Sequence, residues 1–174
     1  MSDLIHALAR TPICRDLSDE EVGRIADQGR VERWAAGAVI LEEGTVGPRL
    51  VIVLEGRVAI TKRDANGADQ ALGDLEAGGV LGEVSLLLQQ PRSATATALT
   101  GLRVFAMERA AFEDMIAAGD PAALKMGFAL ARALAGRLVE MNDRVVALLD
   151  EVADHKKRGE FLRANSEIER RWDF

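Results

Sequence analysis

A chain of 174 residues, 48% hydrophobic with a formal net charge of −6, carries apolar mass for one substantial core and too little for two full domains and a linker. No apolar run approaches a membrane span, the first residues lack the apolar stretch of a cleavable signal, and the acidic balance argues against nucleic acid as the main partner. One cysteine, Cys14, excludes an intrachain disulfide framework and a four-cysteine metal or iron–sulfur site; two distant histidines, His6 and His155, speak against a histidine cluster, and the expected setting is cytoplasmic and reducing.

Ser2 and Asp3 open a short helix expected to run through Ala9, and Pro12 interrupts it. Ser18 with Glu21 is a capping box before a second helix, whose first turn sets Asp19, Glu20 and Glu21 against the positive end of its dipole. Val22, Ile25 and Ala26 give that helix an apolar face, and it ends near Gly29. Cys14 reads as a small apolar filler.

From Val31 the texture changes to short apolar runs punctuated by Gly37, Gly44, Gly47, Gly56, Gly67, Gly73, Gly78 and Gly79. The expected strands are 39–41, 50–54, 58–60, 71–72 and 99–106. Gly56 is expected to join 50–54 to 58–60 as a hairpin, and Asn66-Gly67 marks a second one, because both residues tolerate positive φ. The fold class this predicts is mainly β with flanking helices: an antiparallel, jelly-roll-like β-roll. No strand alternates with a long helix, which speaks against a parallel α/β sheet.

Helix returns at 109–118, with Phe112, Met115 and Ile116 on one side and Gly119 as its stop. Asp120-Pro121 is an N-cap followed by proline at the first helical position. Leu124, Phe128, Ala131, Ala135, Leu138, Asn142, Val145, Leu149 and Val152 then alternate spacings of four and three, an a/d heptad stripe that Leu134, Met141 and Leu148 widen. A helix from Pro121 to about Val152 measures roughly 48 Å, longer than a roll of this size covers. The stripe over 121–152 is therefore expected to pair with a second copy, Asn142 fixing register at some loss of stability; the alternative is that it packs on its own domain. Residues 153–174 are mixed in charge, with Phe161, Leu162, Ile168, Trp172 and Phe174 as large anchors and Lys156-Lys157-Arg158 as a solvated basic run. They read as a C-terminal tail and candidate docking segment beside a domain over 1–152. The tail is too short for a helix-turn-helix with its own core, so direct DNA binding is not expected.

The stretch 81–94, LGEVSLLLQQPRSA, holds the chemistry. Glu83 and Arg92 are nine positions apart, too far for a local helix pair. If the segment folds back on itself, backbone N–H groups, a carboxylate and a guanidinium converge on one small ligand. A cyclic nucleotide offers a negative phosphodiester for Arg92 and a ribose 2′-hydroxyl for Glu83. Gly82 lets backbone approach closely. A helical turn from Val84 through Ser85 to Leu88 would aim free N–H groups at the anion, Ser93 adds a hydroxyl, and the Ser93 and Ala94 N–H groups add more. Leu81, Val84, Leu86 and Leu87 are expected to anchor the segment.

Gly82-Glu83-Val84-Ser85-Leu86 with Pro91-Arg92-Ser93-Ala94-Thr95 resembles the phosphate-binding cassette of the cyclic-nucleotide-binding domain family, as found in bacterial cyclic-AMP receptor proteins, kinase regulatory subunits and gated channels. Gly37, Gly44 and Gly56 also fall in its pattern, and the resemblance covers about residues 10–150. It implies that Glu83 holds the ribose 2′-hydroxyl, Arg92 the cyclic phosphate, and Ser93 a phosphate or base contact. It also implies that the long helix closes over the base. There the small hydroxyl pair of the bacterial regulators falls on Met141-Asn142, and Arg137 or Arg144 adds reach. Asn142 can contact a purine edge, whereas Met141 cannot donate a hydrogen bond. The ligand implied is cyclic AMP in preference to cyclic GMP; no histidine–carboxylate metal cluster or nucleophile–base pair accompanies the cassette, so neither metal cofactor nor catalysis is expected, and because the output module that family members usually carry is not seen in this sequence, the effector is expected to be a separate protein. A nucleotide-independent dimeric scaffold and a haem sensor with His6, Cys14 or a methionine as axial ligand are the alternatives.

Overall fold

The computed structural model describes residues 2–47, 49–88 and 90–170. Of the expected anchors in 153–174, Trp172 and Phe174 lie outside the described residues. The chain forms two compact units, Met1–Leu130 and Ala131–Phe174.

The first unit opens with α1 (Ser2–Ala9), a 3₁₀ turn at Pro12–Cys14, and α2 (Asp19–Asp27). The capping box is formed: Glu21 N–H donates to Ser18 Oγ at 3.3 Å, and Ser18 N–H donates to the Glu21 carboxylate at 2.7 Å. Eight strands follow: β1 (Gly29–Trp34), β2 (Val39–Leu41), β3 (Arg49–Glu55), β4 (Val58–Arg63), β5 (Asp69–Leu75), β6 (Val80–Leu81), β7 (Thr95–Ala98) and β8 (Leu102–Glu108). They form two antiparallel four-stranded sheets, in the orders β1-β8-β3-β6 and β2-β7-β4-β5. The antiparallel roll predicted from the glycine-punctuated runs is what forms.

β3 explains the architecture. Alternate residues of a strand face opposite sides of its sheet. Leu50, Ile52 and Leu54 join a core shared with the helices, and Val51 and Val53 join the core between the two sheets. β8 divides likewise, Phe105 and Met107 on the helix side, Leu102, Val104 and Ala106 inside the roll. A strand buried on both faces reads as an unbroken apolar run, which is why 50–54 is so visible in the sequence.

Two expectations about the strands are corrected. Gly56 does turn, at φ +94°, but β3 and β4 belong to different sheets, so the turn carries the chain across the roll and closes no hairpin. β3 needs both faces covered and sits between β8 and β6, which leaves no edge for β4. Asn66-Gly67 does close a hairpin, β4 with β5, with Gly67 at φ +82°. Of the expected strand over 99–106, only 102–106 is strand, within β8; 99–101 connects it to β7, which ends at Ala98. β1 and β6 are not among the expected strands. β1 is a charged edge strand without a buried residue, and β6 is two residues long.

After α3 (Glu83–Leu88) and α4 (Arg109–Ala117), the chain enters α5 (Pro121–Arg170). Asp120 caps it as expected, accepting the Ala122 N–H at 2.8 Å on its carboxylate. Ala122, Ala123, Met126 and Leu130 are buried in the helix-side core, while Leu124 and Phe128 are exposed. Packing on the roll therefore uses a different face from the heptad stripe. Lys125 pairs with Glu21 at 2.8 Å and Arg24 with Asp120 at 3.0 Å, tying α2 to the first turns of α5. In the second unit Leu138, Val145 and Leu149 are exposed. α5 does not stop near Val152: the heptad stripe fades there, but the Ala, Lys, Arg, Glu and Leu of 153–170 are good helix formers, and the helix continues.

Candidate functional site

The segment 81–94 folds back on itself as its composition suggested. β6 ends at Leu81, Gly82 turns the chain at φ +81°, α3 runs from Glu83, and the return reaches β7 at Thr95. Leu81 and Leu86 anchor it in the two cores and Ser85 is buried with them, but Leu87 stands exposed, so it is no anchor.

Arg92 is the centre of this fold-back. It is only 4% exposed, and the carboxylates nearest in sequence are not its hydrogen-bond partners. Its Nη2 donates to the Arg49 carbonyl at 2.9 Å, while its Nη1 is buried without a partner among the described residues. Glycines make the space it occupies. A Cβ on Gly82 would lie 2.2 Å from Nη1 and 2.5 Å from the Arg49 carbonyl oxygen, and one on Gly47 would lie 3.1 Å from Nη2. Burial lowers the pKa of Arg92, the neighbouring Arg49 charge lowers it further, and Glu83 and Glu108 act in the opposite direction. Glu83, 7% exposed at the first position of α3, is thus within electrostatic reach of Arg92.

The loop 42–47 and β4 hold the return arm. Arg92 N–H donates to the Thr45 carbonyl and Gly44 N–H to the Arg92 carbonyl, both at 2.9 Å. Glu43 N–H donates to Thr95 Oγ1 at 3.1 Å, and Lys62 Nζ donates to the Ser93 carbonyl at 2.8 Å. By contrast, Ser93 N–H, Ser93 Oγ and Ala94 N–H take part in no hydrogen bond among the described residues. A cleft of about 450 Å³ opens at Arg92, bounded by β2, Thr45, Gly47, Arg49 and Glu108. Arg49 is fixed there by Glu32 at 3.2 Å and the Ile40 carbonyl at 3.3 Å, with its guanidinium over the Trp34 ring at 6.0 Å.

The first unit therefore brings together Gly82, Glu83, Val84, Ser85, Arg92, Ser93 and Ala94. Arg137, Met141 and Asn142 belong to the second unit and stand exposed on α5. Gly47, Arg49 and Lys62 were not singled out from the sequence as site residues. Gly47 carried a signal only as a glycine between strands, and Gly44 also as one of the glycines in the family pattern. Among the described residues no group of three or more His, Cys, Asp or Glu could hold a metal ion, and no helix is long and apolar enough to cross a membrane.

The cyclic nucleotide-binding domain profile matches residues 31–118, a span that begins within β1 and contains the other strands and the whole fold-back. A "CRP-like cAMP-activated global transcriptional regulator" of Mycobacterium tuberculosis is 28% identical over 142 residues, covering 82% of this chain and 62% of its own. A "cAMP-dependent protein kinase regulatory subunit" of Eremothecium gossypii is 30% identical over 109 residues, 63% of this chain and 23% of its own. The crystal structure of a cyclic nucleotide-binding domain from Methylobacillus flagellatus superposes with a TM-score of 0.74 at 25% identity, covering 83% of this chain and 82% of that one. The chain belongs to the cyclic nucleotide-binding domain family. The chain spans less than two thirds of either curated relative.

Proposed function

We propose that this protein is a cyclic-nucleotide sensor that takes a purine cyclic mononucleotide at residues 82–94 and signals through a separate effector protein. The observation that carries the reading is the buried, unpartnered Nη1 of Arg92 in its glycine cradle. A buried polar donor left unsatisfied costs on the order of 1–3 kcal/mol, and a charged one more. An anion at that nitrogen removes the penalty. A singly charged cyclic phosphate supplies it, with the Ser93 hydroxyl and the Ser93 and Ala94 N–H groups as further donors. Glu83, acceptor-only when ionised, takes the ribose 2′-hydroxyl.

Cyclic AMP is favoured over cyclic GMP because the two curated relatives described above are named for it. Arg137, Met141 and Asn142 are proposed as the base-facing residues of α5. The proposed setting is the cytoplasm, where the one cysteine remains the thiol that burial holds protonated.

Calorimetry with cyclic AMP and cyclic GMP tests the site. Binding at micromolar or lower concentration that Arg92→Ala abolishes is the expected result. Equal heats from the two proteins would refute the phosphate contact, and no affinity in the wild type would leave a scaffold.

We further propose a homodimer through 121–152, because the heptad stripe is exposed while another face of α5 packs on the roll. Light scattering should report a dimer that the double substitution Leu138→Lys, Val145→Lys converts to a monomer. A wild-type monomer at high concentration removes the dimer.

A further inference from the structure

We propose that Lys62, on β4, is a positioning residue of the nucleotide site, and this rests on the reading of 82–94 given above. Lys62 lies outside the fold-back and 31 positions before its contact there, yet its Nζ donates to the Ser93 carbonyl at 2.8 Å. That carbonyl belongs to the Ser93–Ala94 peptide. A trans peptide is planar, so its C=O and N–H point in opposite directions. Fixing the oxygen on the β4 side fixes the opposite direction of the Ala94 N–H, a donor with no partner among the described residues.

Lys62 is itself held. Glu43 places one carboxylate oxygen 3.9 Å from Nζ, and its other oxygen accepts the Arg63 N–H at 2.9 Å. Glu43 N–H in turn donates to Thr95 Oγ1, on the far side of Ser93. The contacts close a ring: β4 to Glu43, Glu43 to Thr95, and Ser93 back to Lys62. An ordinary surface lysine has neither an oriented carboxylate nor a backbone acceptor to fix it. Here a lysine whose side chain is half exposed holds a stretch of the return arm whose backbone donors have no partner among the described residues. Its effect on ligand runs through a neutral carbonyl at hydrogen-bond distance, which salt screens little.

The test uses the full chain. Cyclic AMP and cyclic GMP are titrated into wild type, Lys62→Met, Lys62→Arg and Arg92→Ala, at low salt and at about 0.5 M, where charge effects over distance are screened. Lys62→Met should bind about tenfold more weakly at both salt concentrations, the loss of one charge-assisted hydrogen bond. Lys62→Arg should recover most of that loss, and the unliganded melting temperatures should agree. A Lys62→Met that binds as wild type, while Arg92→Ala does not bind, overturns the role of Lys62 and leaves the site standing. A loss that vanishes at high salt also overturns positioning, in favour of simple charge attraction. Wild type that binds neither nucleotide overturns the site and Lys62 together.

Discussion

Arg103 and Arg92 both draw a guanidinium out of water, and the fold treats them in opposite ways. Arg103, on β8, has a side chain 12% exposed, and it donates to the Glu55 carboxylate at 2.8 Å and to the Asp3 carboxylate. Those two hydrogen bonds, Glu55 first, raise its pKa. One result is architectural: α1 is pinned to β8. Arg92 is covered at least as well, yet it has one backbone carbonyl, a second arginine nearby and a lowered pKa. A cation that serves the fold is matched by anions of the chain. On the function proposed above, a cation left short of a partner in a cradle of glycines is matched by the ligand. The contrast separates structural from ligand-directed charge without reference to any relative.

Substitutions in the cradle should break the contrast most severely. Ala at Gly82 is strained by φ +81° and would place its Cβ 2.2 Å from Arg92 Nη1 and 2.5 Å from the Arg49 backbone oxygen. The backbone cannot yield, so about 1–3 kcal/mol of stability should be lost and nucleotide binding with it. Gly47→Ala has no such strain, and its nearest atom, at 3.1 Å, is the mobile end of the Arg92 side chain. It should change stability by less than about 0.5 kcal/mol and weaken binding several-fold. Thermal melts paired with calorimetry read both. A Gly82→Ala protein with wild-type affinity would show that Arg92 is not held where the ligand needs it.

What the sequence made legible follows from range. Gly82-Glu83 and Arg92-Ser93-Ala94 sit within one fold-back, and the Ser18–Glu21 box spans four residues, so local chemistry was enough to find them. The apolar runs of β3 and β8 announced a roll because both of their faces are buried. Arg49 reaches Arg92 across 43 positions and Lys62 reaches Ser93 across 31. Those contacts depend on strand register and on which sheet each strand joins, and Gly56 shows how the second question defeats a local reading. Its positive φ was legible; the crossing between sheets was not, since a tight turn looks alike in both cases. Gly47 is a related case, because what it makes room for arrives from a distant segment.

The comparison is sharpened by exchanging each arginine for a methionine of similar length. Arg92→Met removes a buried charge with an unmatched donor and loses one hydrogen bond to the Arg49 carbonyl. Replacing a poorly compensated buried charge by an apolar side chain is neutral to favourable. Without nucleotide its stability should be unchanged or raised by up to about 1 kcal/mol, a shift in melting temperature of roughly 2–4 °C for a chain of this size. Arg103→Met loses both carboxylate contacts and the tie to α1, so its melting temperature should fall. Saturating cyclic nucleotide should reverse the ranking. Ligand that binds only the folded protein raises its melting temperature, so wild type and Arg103→Met should both rise while Arg92→Met stays where it was. If Arg92→Met instead destabilises the unliganded protein as much as Arg103→Met does, Arg92 is a structural cation like the other. The orphaned Nη1 would then no longer argue for an arriving anion.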